Sequence, residues 1–129
     1  MKPDQIQEQG ALLFIWNAES GWHHGLMDSL HKWLSPQTYA CDLCRLTHGM
    51  TGSKKAWKDF LQRCGRPVFF MHRDAYEKSS IYPGSEQRLP LVLEYREGGW
   101  GLLMSAEEIG KQRTLGALME GLEKALGQD

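Results

Sequence analysis

Apolar residues in this chain occur in two patterns, short continuous runs and spaced stripes, and each predicts a different element. Leu12-Leu13-Phe14-Ile15-Trp16 is a continuous apolar run ended by Asn17. A run so short and uniform predicts a strand buried on both faces. Pro67-Val68-Phe69-Phe70-Met71 is a second run of the same kind. Pro90 opens a third, Leu91-Val92-Leu93-Glu94-Tyr95. Gly98-Gly99 then turns the chain into Trp100-Gly101-Leu102-Leu103-Met104, which predicts a hairpin.

The stripes predict helices. Trp22, Leu26, Leu30, Trp33 and Leu34 share one face of a helix over 21–34, with Ser20 as N-cap and Ser35-Pro36 as its stop. Trp57, Phe60, Leu61 and Cys64 fall at i, i+3, i+4 and i+7 of a second helix, capped by Ser53 and stopped at Gly65. Asp74 to Glu77 and Ser105 to Glu108 both have the layout of a capping box. Leu115, Leu118, Met119, Leu122, Ala125 and Leu126 give a last helix its apolar face, with Thr114 as cap. Residues 36–52 read as a connection. The order β-α-α-β-α-β-β-α describes an α/β domain with a mixed sheet of about four strands. Its first two strands are joined through helices and should run parallel.

Composition adds limits. A chain of 129 residues predicts one domain, here 11–129, after a polar segment over 1–10. The net charge is −1 and no basic stripe is visible, which argues against a nucleic-acid partner. No apolar run is long enough for a signal peptide core or a membrane span, so the expected location is cytoplasmic, with no membrane partner. Three cysteines are an odd number, which argues against a secreted disulfide framework.

The chemistry concentrates in Cys41-Asp42-Leu43-Cys44, followed by His48. Three readings of it stay open. As a redox pair, Cys41 and Cys44 would exchange disulfides with a protein or small thiol; Arg45 and His48 would favour the thiolate and Asp42 would oppose it. As a metal site, Cys41, Cys44 and His48 are three ligands of the kind zinc takes, and Cys64, His23, His24, His31 or His72 would supply the fourth. As packing, the cysteines are two small side chains in a loop; beside the metal site, the non-enzymatic alternative for the chain is a protein-interaction domain. On the first helix, His24, Asp28 and His31 stand at i, i+4 and i+7 opposite the apolar stripe. Asp28 and His31 lie near the end that leads to the cysteines, so they are candidate assisting residues, although a solvated face is the ordinary reading. His72 and Arg73 follow the second strand, where ligands of α/β sheets tend to bind. Cys64 reads as a structural thiol.

The element order resembles the thioredoxin fold. Leu89-Pro90-Leu91-Val92-Leu93 is similar to that fold's cis-proline before its third core strand, and the hairpin and closing helix follow in order. The resemblance covers about residues 11 to 126, and implies that Pro90 borders a peptide or thiol site. One departure matters. Thioredoxins carry CxxC directly after the first strand, at a helix N-terminus whose dipole favours the thiolate. Here Ala18-Glu19-Ser20-Gly21-Trp22 holds that place, so the family's catalytic cysteines do not carry over. The stretch Ser35-Pro36-Gln37-Thr38-Tyr39 with Cys41 and Cys44 also resembles a bacterial family of uncharacterised proteins, some loosely labelled GTPases. A P-loop is not present, since Gly49-Met50-Thr51-Gly52-Ser53-Lys54 lacks the GxxxxGK[ST] spacing.

Overall fold

The computed structural model describes residues 8–17, 42–49, 52–84 and 88–127; Asp42, Cys44, Arg45, His48 and Ser53 are described by their backbone alone. The helix expected over 21–34 lies outside the described residues. In chain order the elements are β1 (Leu12–Ile15), α1 (Asp42–Thr47), β2 (His48–Gly49), β3 (Gly52–Ser53), α2 (Lys55–Arg63), β4 (Val68–Met71) and α3 (Arg73–Glu77). They continue with β5 (Leu91–Arg96), β6 (Gly99–Met104), α4 (Ala106–Gly110) and α5 (Leu115–Ala125).

The chain is mixed α/β, organised by a four-stranded mixed sheet in the order β4-β1-β5-β6. β1 runs parallel to β4, Leu12 facing Val68 and Ile15 facing Met71. On its other side β1 is antiparallel to β5, and β5 and β6 form the expected antiparallel hairpin. Alternation along the strands builds two cores. Leu12, Phe14, Trp16, Val92 and Met104 point to one face, against α1, α2, α4 and α5 through Leu43, Leu46, Trp57, Phe60, Ile109, Leu118 and Leu122. Leu13, Ile15, Met71, Leu91 and Leu93 point to the other, against Tyr76 of α3. β1 is buried along its whole length, as its apolar run predicts.

The second run departs from that pattern. Among the described residues β4 stands at the sheet's edge, its residues are only partly buried up to Met71, and Phe70 is 41% exposed. Residues 36–52 are also more than a connection, since α1 and the small β2–β3 ribbon occupy part of them. Leu43, Leu46 and Thr47 fall at i, i+3 and i+4 and are all buried, and the Thr47 hydroxyl donates to the Leu43 carbonyl at 2.8 Å. That short stripe packs α1 against α4 and α5.

Helix starts shift by about one residue from the sequence expectation, the ordinary scatter of such boundaries. Ser53 belongs to β3, and Lys54 takes the N-cap position of α2 without a side-chain cap bond. The cause is the Lys54 N–H, which donates to the Thr47 carbonyl at 2.9 Å and keeps the chain extended to that point. α3 begins at Arg73 with His72 at its N-cap position, so Asp74 sits in the first turn rather than capping it. Gly65 does end α2, in the left-handed region at φ +65°.

The two C-terminal caps form as read. Ser105 and Glu108 make the reciprocal capping box, with bonds of 3.1 and 3.0 Å. The Ser105 backbone N–H is the main cause holding the Glu108 carboxyl below its ordinary range. Thr114 Oγ1 accepts from the Ala117 N–H at 3.1 Å. On α5, Leu118 and Leu122 are buried and Ala125 is exposed, despite its place in the expected stripe.

The hairpin turns one residue earlier than Gly98-Gly99 suggested. Its central residues are Glu97 (φ 52°) and Gly98 (φ 85°), and Gly99 is already in β6. Positive φ at both positions is the turn whose twist matches the strands, and it favours Asn-Gly. Glu97 is therefore a non-glycine residue in the left-handed region. Glu97→Asn should raise stability by about 0.5–1 kcal/mol, seen as a higher urea midpoint with an unchanged slope.

Candidate functional site

Of the residues singled out for chemistry, Asp28, His31 and Cys41 lie outside the described residues, as do His23 and His24. Cys44 and Arg45 have their backbone within α1. The Cys44 backbone is therefore held on a helix anchored to the core by Leu43, Leu46 and Thr47. His48 is the first residue of β2, where its backbone pairs with Ser53. α1 stops at Thr47, so Cys44 and His48 do not share a continuous helical turn. The physical reason is again the Lys54 bond to the Thr47 carbonyl, which draws the chain into the ribbon.

A second set of residues meets at one end of the sheet. Because β1 and β4 are parallel with Ile15 beside Met71, Trp16-Asn17 and His72-Arg73 leave the sheet side by side. Leu91 faces Ile15, so Leu89-Pro90 enters at the same end. The Leu89–Pro90 bond is cis, and the Pro90 ring is fully buried. Arg73 Nη1 donates to Asn17 Oδ1 at 3.2 Å, tying the two strand ends together. Met104 faces Val92, so β6 also finishes at this end and leads through Ser105 into α4. α4 is one of the helices on which α1 packs. The topology thus brings the cis-proline and the Asn17–Arg73 pair to one end of the sheet, and α1 packs on the helix that follows β6.

The structure also contains a buried ion cluster that the sequence reading did not find. Glu94 of β5 is almost fully buried, with its side chain 8% exposed. One carboxylate oxygen bonds Arg66 Nη1 and the other accepts from Arg96 Nε at 2.8 Å. Arg66 Nη1 also donates to the Gly10 carbonyl at 3.3 Å. A signal was present in the sequence. Glu94 alternates with Val92 on an inward face, and a buried carboxylate requires a cation.

Cys64 is half-buried after α2 and is a free thiol. Burial is the main influence on it and pushes its pKa up, against the opposing effect of Arg66 and Arg63 and with a smaller contribution from Glu123. A thiol so placed is less nucleophilic than a free one, which fits the structural role expected of it. Trp57 and Trp16 are buried core residues. The Trp100 Nε1 atom is buried without a hydrogen-bond partner, while its ring meets Tyr95 edge-on at 5.3 Å.

Among the described residues no three His, Cys, Asp or Glu side chains gather as a metal-binding group. The Cys41, Cys44 and His48 side chains are not among those described. No helix in the described residues is long and apolar enough to cross a membrane. No protein-family model, curated protein or solved structure matches the chain. The functional reading therefore rests on its own residues and geometry.

Proposed function

We propose that this chain is a thioredoxin-like domain whose Cys41/Cys44 pair exchanges disulfides with a protein or small-thiol partner. The observation that carries the reading is the sheet order with its proline. A parallel pair lies beside an antiparallel hairpin in the order β4-β1-β5-β6, and a cis-proline stands immediately before the third long strand. That is the arrangement the resemblance to thioredoxins implies. The cysteines differ from that family in position, since they do not come directly after β1, which ends at Ile15. The anchoring of α1 on α4 supports their working at the same end of the sheet as Pro90. Arg45 and His48 are the neighbours proposed to favour the thiolate, with Asp28 and His31 as further assisting residues. The buried Pro90 ring would form part of the wall behind the site rather than an exposed lip.

The reaction needs no cofactor. One cysteine thiolate attacks a sulfur of the partner disulfide, forming a mixed disulfide and releasing the partner's other sulfur as a thiolate. The second cysteine thiolate then attacks its neighbour's sulfur in the mixed disulfide. The partner leaves with both sulfurs reduced, and the chain holds a Cys41–Cys44 disulfide.

The test is a redox titration in glutathione buffers, with intact mass and peptide mapping as readouts. The expected result is reversible loss of two hydrogens assigned to Cys41–Cys44, abolished in Cys41→Ser and in Cys44→Ser but retained in Cys64→Ser. Zinc bound in the purified protein and lost on either of the first two substitutions would instead favour the metal reading through Cys41, Cys44 and His48. Neither disulfide nor metal would leave the cysteines as packing.

A further inference from the structure

We propose that the exposed basic face of α2 selects the exchange partner, so that the Cys41/Cys44 pair reacts preferentially with disulfides that carry carboxylates. The inference rests on the exchange reading above and adds to it the charge of the substrate. Five of the chain's 15 lysines and arginines fall within 54–66, against one of its 16 acidic residues. They are Lys54, Lys55, Lys58, Arg63 and Arg66, with Asp59 among them, in a chain whose net charge is −1. α2 turns Trp57 and Phe60 to the core, which leaves Lys54, Lys55, Lys58 and Arg63 exposed on the other side. Asp59 pairs with Lys55 at 3.0 Å, and Arg66 is engaged by Glu94. With both pairs set aside, the face is still positive. Helix energetics does not account for this placement. The positive end of the helix dipole favours acidic residues in the first turn and disfavours cations. α2 has no acidic residue there, Lys54 is at its N-cap position and Lys55 is its first residue. A sequence that breaks a local rule at some cost in stability is expected to gain function from it.

The backbone bond that ends α1 also sets how far this face lies from the cysteines. The Lys54 N–H donates to the Thr47 carbonyl at 2.9 Å, and Thr47 closes the helix that bears Cys44. Cys44 comes three residues before Thr47, about 4.5 Å along the helix axis, so the first of these lysines starts roughly 10 Å from the Cys44 backbone. Charges act across that distance in water without touching the substrate. Other charges close to α1 nearly cancel. On α1 itself Asp42 stands against Arg45. On α4 and the residues after it, Glu107 and Glu108 stand against Lys111 and Arg113, and α5 sets Glu120 and Glu123 against Lys124. Among the described residues, the α2 face is therefore the main source of net charge beside the Cys44-bearing helix. It draws in a carboxylate and repels an ammonium, while the sulfur chemistry is the same for both.

Three small disulfides of different charge test this: dithiodipropionate (anionic), bis(hydroxyethyl) disulfide (neutral) and cystamine (cationic). Each takes two electrons and two protons from the reduced pair and leaves as two thiols, and the chain keeps the Cys41–Cys44 disulfide. Rates are read by intact mass in acid-quenched samples as the loss of two hydrogens, whereas reaction at Cys64 adds part of the probe's mass. Dividing by each probe's rate with dithiothreitol, an uncharged dithiol, removes differences in intrinsic reactivity. In about 0.01 M salt, where charges act over about 30 Å, the normalised rate for the anionic probe should exceed that for the cationic one at least about fivefold. In about 1 M salt, which cuts that range to about 3 Å, the two should converge. Lys54→Gln, Lys55→Gln and Lys58→Gln combined should produce the same convergence in low salt. The comparison is a ratio within one protein, so any effect of the lysines on the thiolate cancels. The salt series is read on the parent alone and stands whether or not the triple variant folds. Equal or reversed normalised rates in the parent, or a preference that survives the three substitutions, would overturn the inference and leave the exchange reading standing. No disulfide formation with any of the three probes would overturn both.

Discussion

Arg66→Ala is expected to destabilise the fold by about 3 kcal/mol. Glu94 lies in a central strand with its side chain 8% exposed, and Arg66 is the better-buried of its two cations. Removing that guanidinium leaves a carboxylate facing the helix-covered core with only Arg96 beside it, and Arg96 is 60% exposed. Water screens the remaining pair, so Arg96 offsets only part of the loss. The Gly10 carbonyl loses a donor in the same substitution. Replacing Arg66 and Glu94 together by methionine tests the cause. With no buried charge left unpaired, the double variant should recover to within about 1 kcal/mol of the parent. Urea unfolding followed by circular dichroism gives both numbers. If Arg66→Ala cost no more than an ordinary surface change, the carboxylate would have to be solvated in a way its burial does not allow.

Trp57→Ala should cost more, about 4 kcal/mol. Trp57 is 1% exposed on α2. It meets Phe14 of β1 edge-on at 5.3 Å and stacks on Phe60 at 5.8 Å. It is therefore the main side chain joining α2 to the middle of the sheet. Alanine leaves a cavity that the strand beneath cannot collapse to fill, since β1 is hydrogen-bonded on both sides. A melting temperature lower by on the order of 10–20 °C is expected for a domain of this size. Trp57→Phe keeps a ring against Phe14 and should cost only about 1–2 kcal/mol. Thermal unfolding by circular dichroism is the suitable readout, because the chain's other tryptophans complicate fluorescence.

Which parts of this architecture could be read from the sequence follows from the range of the forces involved. The strands and the two C-terminal caps are local. A run such as Leu12 to Trp16 has few alternatives, and Ser105 finds its partner Glu108 within one turn. The parallel pairing of β1 and β4 followed from the helical segments that join them. The edge position of β4 was not legible, because strand order depends on contacts between residues far apart in the chain. Phe70 is as apolar as Phe14, yet among the described residues only Phe14 has a strand on both sides. α1 was missed because its stripe of Leu43, Leu46 and Thr47 is a single turn long, too short for periodicity to show. The turn at Glu97-Gly98 was misplaced by one residue because glutamate is an unusual choice for positive φ. The Arg66–Glu94–Arg96 cluster was visible as an inward carboxylate, but its cations come from the end of α2 and from beyond the apolar run of β5. As for the candidate site, the cis-proline was legible from Leu89-Pro90 and the strand after it. The Asn17–Arg73 bond was not, since it joins residues that only the parallel pairing brings together.

The proposed exchange chemistry is tested most directly by the thiol titration of Cys41 and Cys44. Rates of alkylation would be followed against pH, with each cysteine resolved by peptide mapping. Cys64 serves as an internal reference, since burial raises its pKa above the ordinary value. A redox pair predicts that one of Cys41 and Cys44 titrates well below the free-thiol value of about 8.5, and that its fast alkylation disappears when the pair is oxidised. Titration of both at or above that value would contradict the proposal.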